Sequence, residues 1–125
     1  MTNPHALPEM HVINLDRSTK RLRLFNERNQ HLGEVTRVTA LDGSTLDREK
    51  LIRTGYLTED CPYLAGALGA SMSHVKLWGM AASQDRSITV FEDDIAVSHH
   101  FIPRATALLS VLPEDWDFVQ WGYIS

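Results

Sequence analysis

The chain has 125 residues, of which 43% are hydrophobic and 22% are charged, a balance that is ordinary for one folded domain. Its formal net charge of -4 offers no basic surplus, so nucleic acid is not an expected partner. The single cysteine, Cys61, excludes an internal disulfide framework and a cysteine-rich zinc site. No window approaches the ~20 apolar residues of a transmembrane helix, and the first residues do not resemble a secretory signal. These features predict a cytoplasmic protein.

The first third of the chain alternates between strand and helix patterns. Residues 1–10, which include two prolines, are predicted to be a leader outside the fold. Residues 11–15 form a nearly continuous apolar run, typical of a buried parallel strand. A helix is expected over 20–29, with Gly33 as its end signal, and a second strand over 34–40. This order predicts a right-handed βαβ unit and a parallel sheet.

The rest of the chain continues the alternation. Helices are predicted over 44–52, 65–83 and 104–111. A short apolar strand leads into the acidic residues 92–94, and a further strand is predicted over 116–121. The fold class expected from this order is α/β, with a mainly parallel sheet and flanking helices.

The helix predicted over 65–83 has an apolar face and a start that is rich in small residues. Four apolar residues recur at helical spacing and predict the face that packs on the core: Leu64, Leu68, Met72 and Val75. The small residues over 65–71 allow either a neighbouring backbone or a ligand to come close. The sequence favours neither of these two interpretations.

Three consecutive carboxylates, Glu92, Asp93 and Asp94, follow a short apolar run. Two charges ~4 Å apart repel by about 1 kcal/mol in water and by about 4 kcal/mol near a protein surface, so folding alone does not favour the arrangement. Bound Mg²⁺ or Mn²⁺ would relieve the repulsion. Because side chains alternate along a strand, Glu92 and Asp94 are expected to share a side while Asp93 points away. If the strand continues that far, this pair can hold one metal. The alternative is a solvated acidic loop.

A second polar cluster, Asn14 and Asp16, lies at the end of the first predicted strand. Ligands of open parallel sheets lie beyond the carboxyl ends of the strands, so this cluster and the carboxylates are expected at the same edge. A metal–diphosphate ligand would fit between them, with Arg17 or Arg21 as a forked donor to phosphate. His74 lies on the long helix, and the pattern alone favours a structural role for it.

Several blocks of the sequence, in the same order and at similar spacing, resemble family 25 glycosyltransferases, the lipooligosaccharide and collagen galactosyltransferase-like proteins. The blocks are residues 12–17 with Arg21, 37–43, 68–78, 91–95 and the following 112–119. Each block is short, but together they cover nearly everything from residue 11 onward.

The resemblance implies a GT-A-like, Rossmann-like nucleotide-sugar-binding domain over residues 11–125. It implies transfer of a sugar, with galactose expected, from a UDP-sugar to a glycan acceptor in lipooligosaccharide or cell-surface glycan synthesis, by a protein peripheral to the inner membrane. Asp94 and Glu92 would be catalytic and would hold Mn²⁺ or Mg²⁺ against the diphosphate. The donor-binding residues would be Asn14, Asp16, Arg17, Arg21, Ser73, His74 and Asp93.

Two departures from the family pattern bear on function. Ala70 stands where members often have cysteine, a small packing change. The chain stops at Ser125, where members continue for about as many residues again, and that half is expected to complete the acceptor site. The alternative function is therefore a non-catalytic, truncated donor-binding or interaction module, and an exposed sheet edge could pair two chains.

A phosphoacceptor receiver domain is a third hypothesis, because it has a similar length and the same α/β class. Such a domain has its acidic pair after the first strand and a lysine late in the chain. Here the carboxylates come at 92–94 and the last lysine is Lys76, so this hypothesis is disfavoured.

Overall fold

The protein is an open three-stranded parallel sheet with flanking helices. A computed structural model describes residues 6–122. The strands are β1 (Met10–Asn14), β2 (Thr36–Thr39) and β3 (Thr89–Glu92). The helices are α1 (Thr19–Arg28), α2 (Arg48–Arg53), α3 (Ala65–Ser83) and α4 (Phe101–Val111), with short 3₁₀ turns at Gln30–Leu32 and Gly43–Thr45. The predicted α/β class is confirmed.

The strand order is β2-β1-β3, and both pairings are parallel. Asn14, at the end of the central strand, stands opposite Thr39 of β2, and Ile13 stands opposite Glu92 of β3. The carboxyl ends of all three strands therefore meet at one edge of the sheet, as the sequence predicted. We call this the carboxyl edge.

One face of the sheet packs on α1 and α4. Val12, Phe25, Leu32 and Phe91 form a buried cluster there. The ring of Phe91 lies 6.2 Å from that of Phe25 in α1 and 5.8 Å from that of Phe101 in α4, measured between centroids. Burying an aromatic or aliphatic side chain of this size stabilises a fold by roughly 1.5–3 kcal/mol. This cluster fixes which residues of β3 face α1.

Helix α3 sits against the 3₁₀ turn that follows β2. A Cβ atom on Gly69 would lie 2.6 Å from both Gly43 N and Leu41 O, and one on Gly43 would lie 1.6 Å from Ala65 O. The Ser73 hydroxyl donates to Gly69 O at 2.7 Å and accepts from Leu41 N at 2.8 Å. At Gly69, the small residue therefore allows a neighbouring backbone, and not a ligand, to come close.

The core face predicted for α3 is wrong in part. Leu64 precedes the helix and is 82% exposed, and Met72 and Val75 are only partly buried. The close approach at Gly69 turns a different face of the helix inward. Its buried residues are Leu68, Gly69, Ser73 and Leu77.

The fold begins earlier than the leader prediction allowed. Strand β1 starts at Met10, Thr89 N donates to Glu9 O at 2.8 Å, and the Thr89 hydroxyl donates to Pro8 O at 2.9 Å. Pro8 and Glu9 are thus tied to the start of β3, and the part of the leader over 1–5 lies outside the described residues.

Two further elements differ from the sequence prediction. The helix expected over 44–52 is a 3₁₀ turn followed by α2, because the Asp47 side chain accepts from Lys50 N and starts a new helix. Residues 116–121 do not form a strand. Their aromatic side chains dock on helices instead, with the Phe118 ring 5.8 Å from Trp78 of α3. β propensity is not enough without a neighbouring strand to pair with.

Candidate functional site

Asn14 is the hub of the carboxyl edge. It is only 1% exposed, and its Nδ2 donates to Asp93 Oδ2 at 2.7 Å and to Ser18 O at 3.0 Å. Its Oδ1 accepts from Arg37 Nε at 2.9 Å. A buried amide is costly unless such bonds are made, and here every polar atom of the side chain has a partner. Asn14 thereby joins all three strand ends.

Arg37 belongs to this edge, although the sequence did not single it out as a site residue. Its Nη2 donates to Asn14 O at 3.0 Å and to Asp16 Oδ1 at 2.6 Å. The hydrogen bond from Arg37, followed by that from Thr39, lowers the pKa of the Asp16 carboxyl. The available signal was its position two residues before the end of β2, on the same side of the strand as Thr39.

The three carboxylates after β3 are divided between two groups of partners. Glu92 Oε1 lies 3.3 Å from His74 Nε2 of α3. Asp93 Oδ1 and Asp94 Oδ2 lie 2.9 Å and 3.5 Å from the same atom, Arg21 Nη2 of α1. The expectation that Glu92 and Asp94 share a side is therefore wrong. Strand β3 ends at Glu92 and the chain turns at Asp93, so the alternation does not reach Asp94.

Arg17 and Asp42 form a further ion pair, between the loops that follow β1 and β2. Asp42 also accepts from the backbone N–H and the hydroxyl of Ser44. The hydrogen bond from the Ser44 hydroxyl, and next that from Arg17, lower the pKa of the Asp42 carboxyl to about 2. The sequence identified Asp42 only as a turn residue.

Ser73 and His74 are neighbours on α3, but their side chains contact different parts of the protein. Ser73 is 4% exposed, and its hydroxyl is engaged with Gly69 and Leu41, away from the carboxylates. His74 faces Glu92, and its ring centroid lies 6.3 Å from that of Trp78. Of the two donor-binding residues predicted on α3, His74 contacts the carboxyl edge, whereas the Ser73 hydroxyl joins α3 to the turn after β2.

The low pKa of Asp42 predicts a specific acid response. A carboxyl whose pKa is lowered from 3.8 to about 2 stabilises the fold above pH 3.8, and this contribution is lost as the pH falls toward 2. We expect Asp42→Asn to lose less stability than the native chain between pH 5 and pH 2.5, measured by urea unfolding. Asp60→Asn, which changes an exposed carboxylate before α3, is the control. Equal acid responses of Asp42→Asn and the native chain would contradict the prediction.

Two concave surfaces lie outside the cluster of predicted site residues. One is lined by Leu7, Pro8, Glu9, Met10, Glu34 and Thr36, at the amino ends of β1 and β2. The other lies beside α2 and is lined by Thr45, Leu46, Asp47, Lys50, Leu51, Thr54 and Tyr56. Neither surface contains a predicted site residue. The first surface lies at the amino ends of the strands, whereas ligands of parallel sheets bind at their carboxyl ends.

A comparison with protein families identifies the chain. The model of glycosyltransferase family 25, described as an LPS biosynthesis protein, matches residues 7–123. The chain belongs to glycosyltransferase family 25. No curated protein and no solved structure gives a significant match. Membership supports a glycosyltransferase role in LPS synthesis, and no helix within 6–122 is long and apolar enough to cross a membrane.

The resemblance to family 25 implies a bound Mn²⁺ or Mg²⁺, so the side chains of the carboxyl edge should include ligands for such a cation. Within residues 6–122, no three His, Cys, Asp or Glu side chains converge as metal ligands. Asp93 and Asp94 converge instead on a cation of the chain itself, the Arg21 guanidinium. In this arrangement the two aspartates are paired with Arg21, and the described side chains do not by themselves fit a divalent-cation site.

Proposed function

We propose that this family 25 glycosyltransferase binds a UDP-sugar at the carboxyl edge and transfers the sugar, with galactose expected, to a glycan acceptor in LPS synthesis. The observation that carries the proposal is the hydrogen bond from Asn14 to Asp93. It joins the end of the central strand to the turn formed by Asp93 and Asp94 after β3, which we call the acidic turn. This is the edge at which parallel sheets bind ligands. Family membership supplies the reaction class.

The arginines of the edge suit the diphosphate of such a donor. Arg21 is 53% exposed, so its guanidinium can reach a ligand while it remains beside Asp93 and Asp94. Arg17 is more exposed still. Guanidinium groups bind phosphate oxygens through two parallel N–H donors, which makes these contacts stronger than neutral hydrogen bonds. We assign Arg21 to the donor diphosphate and Arg17 to the same anionic ligand.

The proposed reaction replaces one bond at the anomeric carbon with another. A hydroxyl oxygen of the acceptor forms a bond to this carbon, the bond from the carbon to the diphosphate oxygen breaks, and UDP leaves. The Arg21 guanidinium would stabilise the negative charge on the leaving diphosphate. The hydroxyl proton would pass to Asp94 or Glu92, the two of the three carboxylates after β3 whose side chains are more than half exposed.

The donor assignment is tested by calorimetric titration of the chain with UDP. We expect Arg21→Gln to bind UDP about 10- to 100-fold more weakly, the effect of losing a hydrogen bond to a charged group. Arg23→Gln, which changes an exposed arginine of the same helix, should bind as the native chain does. Equal affinities of Arg21→Gln and Arg23→Gln would remove Arg21 from the donor site, and no UDP binding by the native chain would remove the donor site itself.

The same titration, repeated with Mn²⁺ and with a chelator, tests whether UDP binding requires the metal that the family resemblance implies. The pairing of Arg21 with the acidic turn leads us to expect UDP to bind without added metal. A UDP affinity that depends on Mn²⁺ would contradict this expectation and support a cation held jointly by the carboxylates after β3 and the phosphates of the donor.

A donor-binding module without turnover is the second candidate function. The observation in its favour is that both proposed proton acceptors are paired, Glu92 with His74 and Asp94 with Arg21. Release of UDP from UDP-galactose in the presence of a lipooligosaccharide acceptor, followed by chromatography, separates the two functions. Turnover by the 125-residue chain supports the enzyme. Binding of UDP without turnover supports the module.

A further inference from the structure

Asn29, at the end of α1, makes contacts that reach far along the chain. It is 3% exposed, and its Nδ2 donates to Phe25 O at 2.9 Å and to Ile95 O at 3.1 Å. Its Oδ1 accepts from Val97 N at 2.7 Å. Both amide hydrogens and the carbonyl oxygen are therefore in use. Two of the three bonds go to the segment that directly follows Asp93 and Asp94.

The acidic turn is held on both sides by an asparagine. Asn14 binds Asp93 at the start of the turn, and Asn29 binds Ile95 and Val97 after its end. Residues 95–98 form no regular element of their own, so their backbone groups depend on such bonds for order. The turn is thereby fixed between two buried amides.

Helix α1 contacts this part of the chain at both of its ends. Arg21 near its start pairs with Asp93 and Asp94, and Asn29 just after its last turn binds the backbone beyond them. A shift of Ile95 would move Asp94, its neighbour in the chain, relative to the Arg21 guanidinium. The Asn29 amide therefore influences the distance between Asp94 and Arg21, although it contacts neither residue.

We propose that Asn29 is a positioning residue for the donor site, which sets the distance between the acidic turn and Arg21 through its bonds to Ile95 and Val97. The inference rests on the proposed function, because it assigns a consequence for UDP binding to a side chain outside the site. A helix cap alone would need only the bond to Phe25 O. The two bonds to the distant segment are what distinguish a positioning role.

The first test compares Asn29→Ala with Thr89→Val. Thr89 is also buried, and its hydroxyl binds Pro8 O at the opposite end of β3, so Thr89→Val removes a buried hydrogen bond far from the acidic turn. We expect Asn29→Ala to bind UDP about tenfold more weakly, as for loss of one positioning contact. Thr89→Val should lose thermal stability and keep its UDP affinity.

A ligand-free measurement keeps this inference separate from the proposed function. Amide hydrogen exchange over residues 93–97 should become faster in Asn29→Ala and stay native-like in Thr89→Val, because only the first loses the bonds that order the segment. Unchanged exchange over 93–97 in Asn29→Ala would overturn the positioning role whether or not the chain binds UDP. Faster exchange in a chain that does not bind UDP would leave the Asn29 bonds confirmed and defeat the link to the donor.

The variant Asn29→Asp provides a second test should Asn29→Ala not fold. An ionised carboxylate still accepts from Val97 N but repels the carbonyl oxygens of Phe25 and Ile95. A protonated carboxyl group has one donor and one acceptor, and burial favours this neutral form. The UDP affinity of Asn29→Asp, relative to the native chain at the same pH, should therefore recover between pH 8 and pH 5. A ratio that is independent of pH would contradict the inference.

Discussion

Replacing Gly69 with alanine is expected to destabilise the fold by about 3 kcal/mol, the upper part of the range for overpacking. The added Cβ would lie 2.6 Å from Gly43 N and from Leu41 O. Both atoms belong to the backbone, so α3 must move away from the turn after β2. The movement would also stretch the bond from Leu41 N to the Ser73 hydroxyl.

The matched control for this substitution is in the same helix. A Cβ on Gly66 would meet nothing within 4 Å, and alanine is favoured over glycine in helices by roughly 0.5–1 kcal/mol. Gly66→Ala should therefore leave stability unchanged or raise it. Urea unfolding of both variants measures the difference, and losses of equal size would show that the contact between α3 and the turn is not as close as described.

The second large effect is expected at Asn14. In Asn14→Asp the side chain loses its N–H donors to Ser18 O and Asp93, and a buried negative charge comes to lie beside the Asp93 carboxylate. Arg37 offsets part of this repulsion, since it already donates to the same side chain. We expect a loss of about 3 kcal/mol near pH 7, the scale of a buried charge without a full set of partners.

The sign of its pH dependence follows from the same contacts. Burial and a neighbouring carboxylate raise the pKa of the introduced acid, so the variant should regain stability relative to the native chain as the pH falls from 7 to 4. Asn26→Asp, on the exposed side of α1, serves as the control and should change stability by only a few tenths of a kcal/mol. A stability gap for Asn14→Asp that stays constant with pH would contradict the role of Asn14 as a buried hub.

Local patterns in the sequence predicted the framework well. The nearly continuous apolar run over 11–15 predicted a buried strand, which the structure has at Met10–Asn14. Helix α3 has the bounds that its pattern predicted. The strand at 116–121 failed for a physical reason. Alternation reports β propensity, whereas a strand also needs hydrogen-bonding neighbours, which no local pattern specifies.

The sequence predicted which strand ends form the candidate site, but not which side chains pair with one another there. Asn14 and Asp93 were placed at one edge because parallel strands end together, and they are in contact. Arg37 and Asn29 were missed because their roles depend on partners 23 to 68 residues away in the chain, read from the hydrogen bonds to Asn14 and Val97. The sharing of Arg21 by Asp93 and Asp94 depended on where β3 stops, a boundary that sequence patterns locate poorly.

The packing of Phe91 determines which helix each of the carboxylates that follow it faces. With Phe91 held against Phe25 and Phe101, Glu92 must face α3, and Asp93 must face α1. A slip of β3 by one residue would exchange these faces and bury a carboxylate where the aromatic ring now lies. The motif is therefore better described as Phe-Glu-Asp-Asp, in which the aromatic residue sets the register and so decides which acid meets which basic partner.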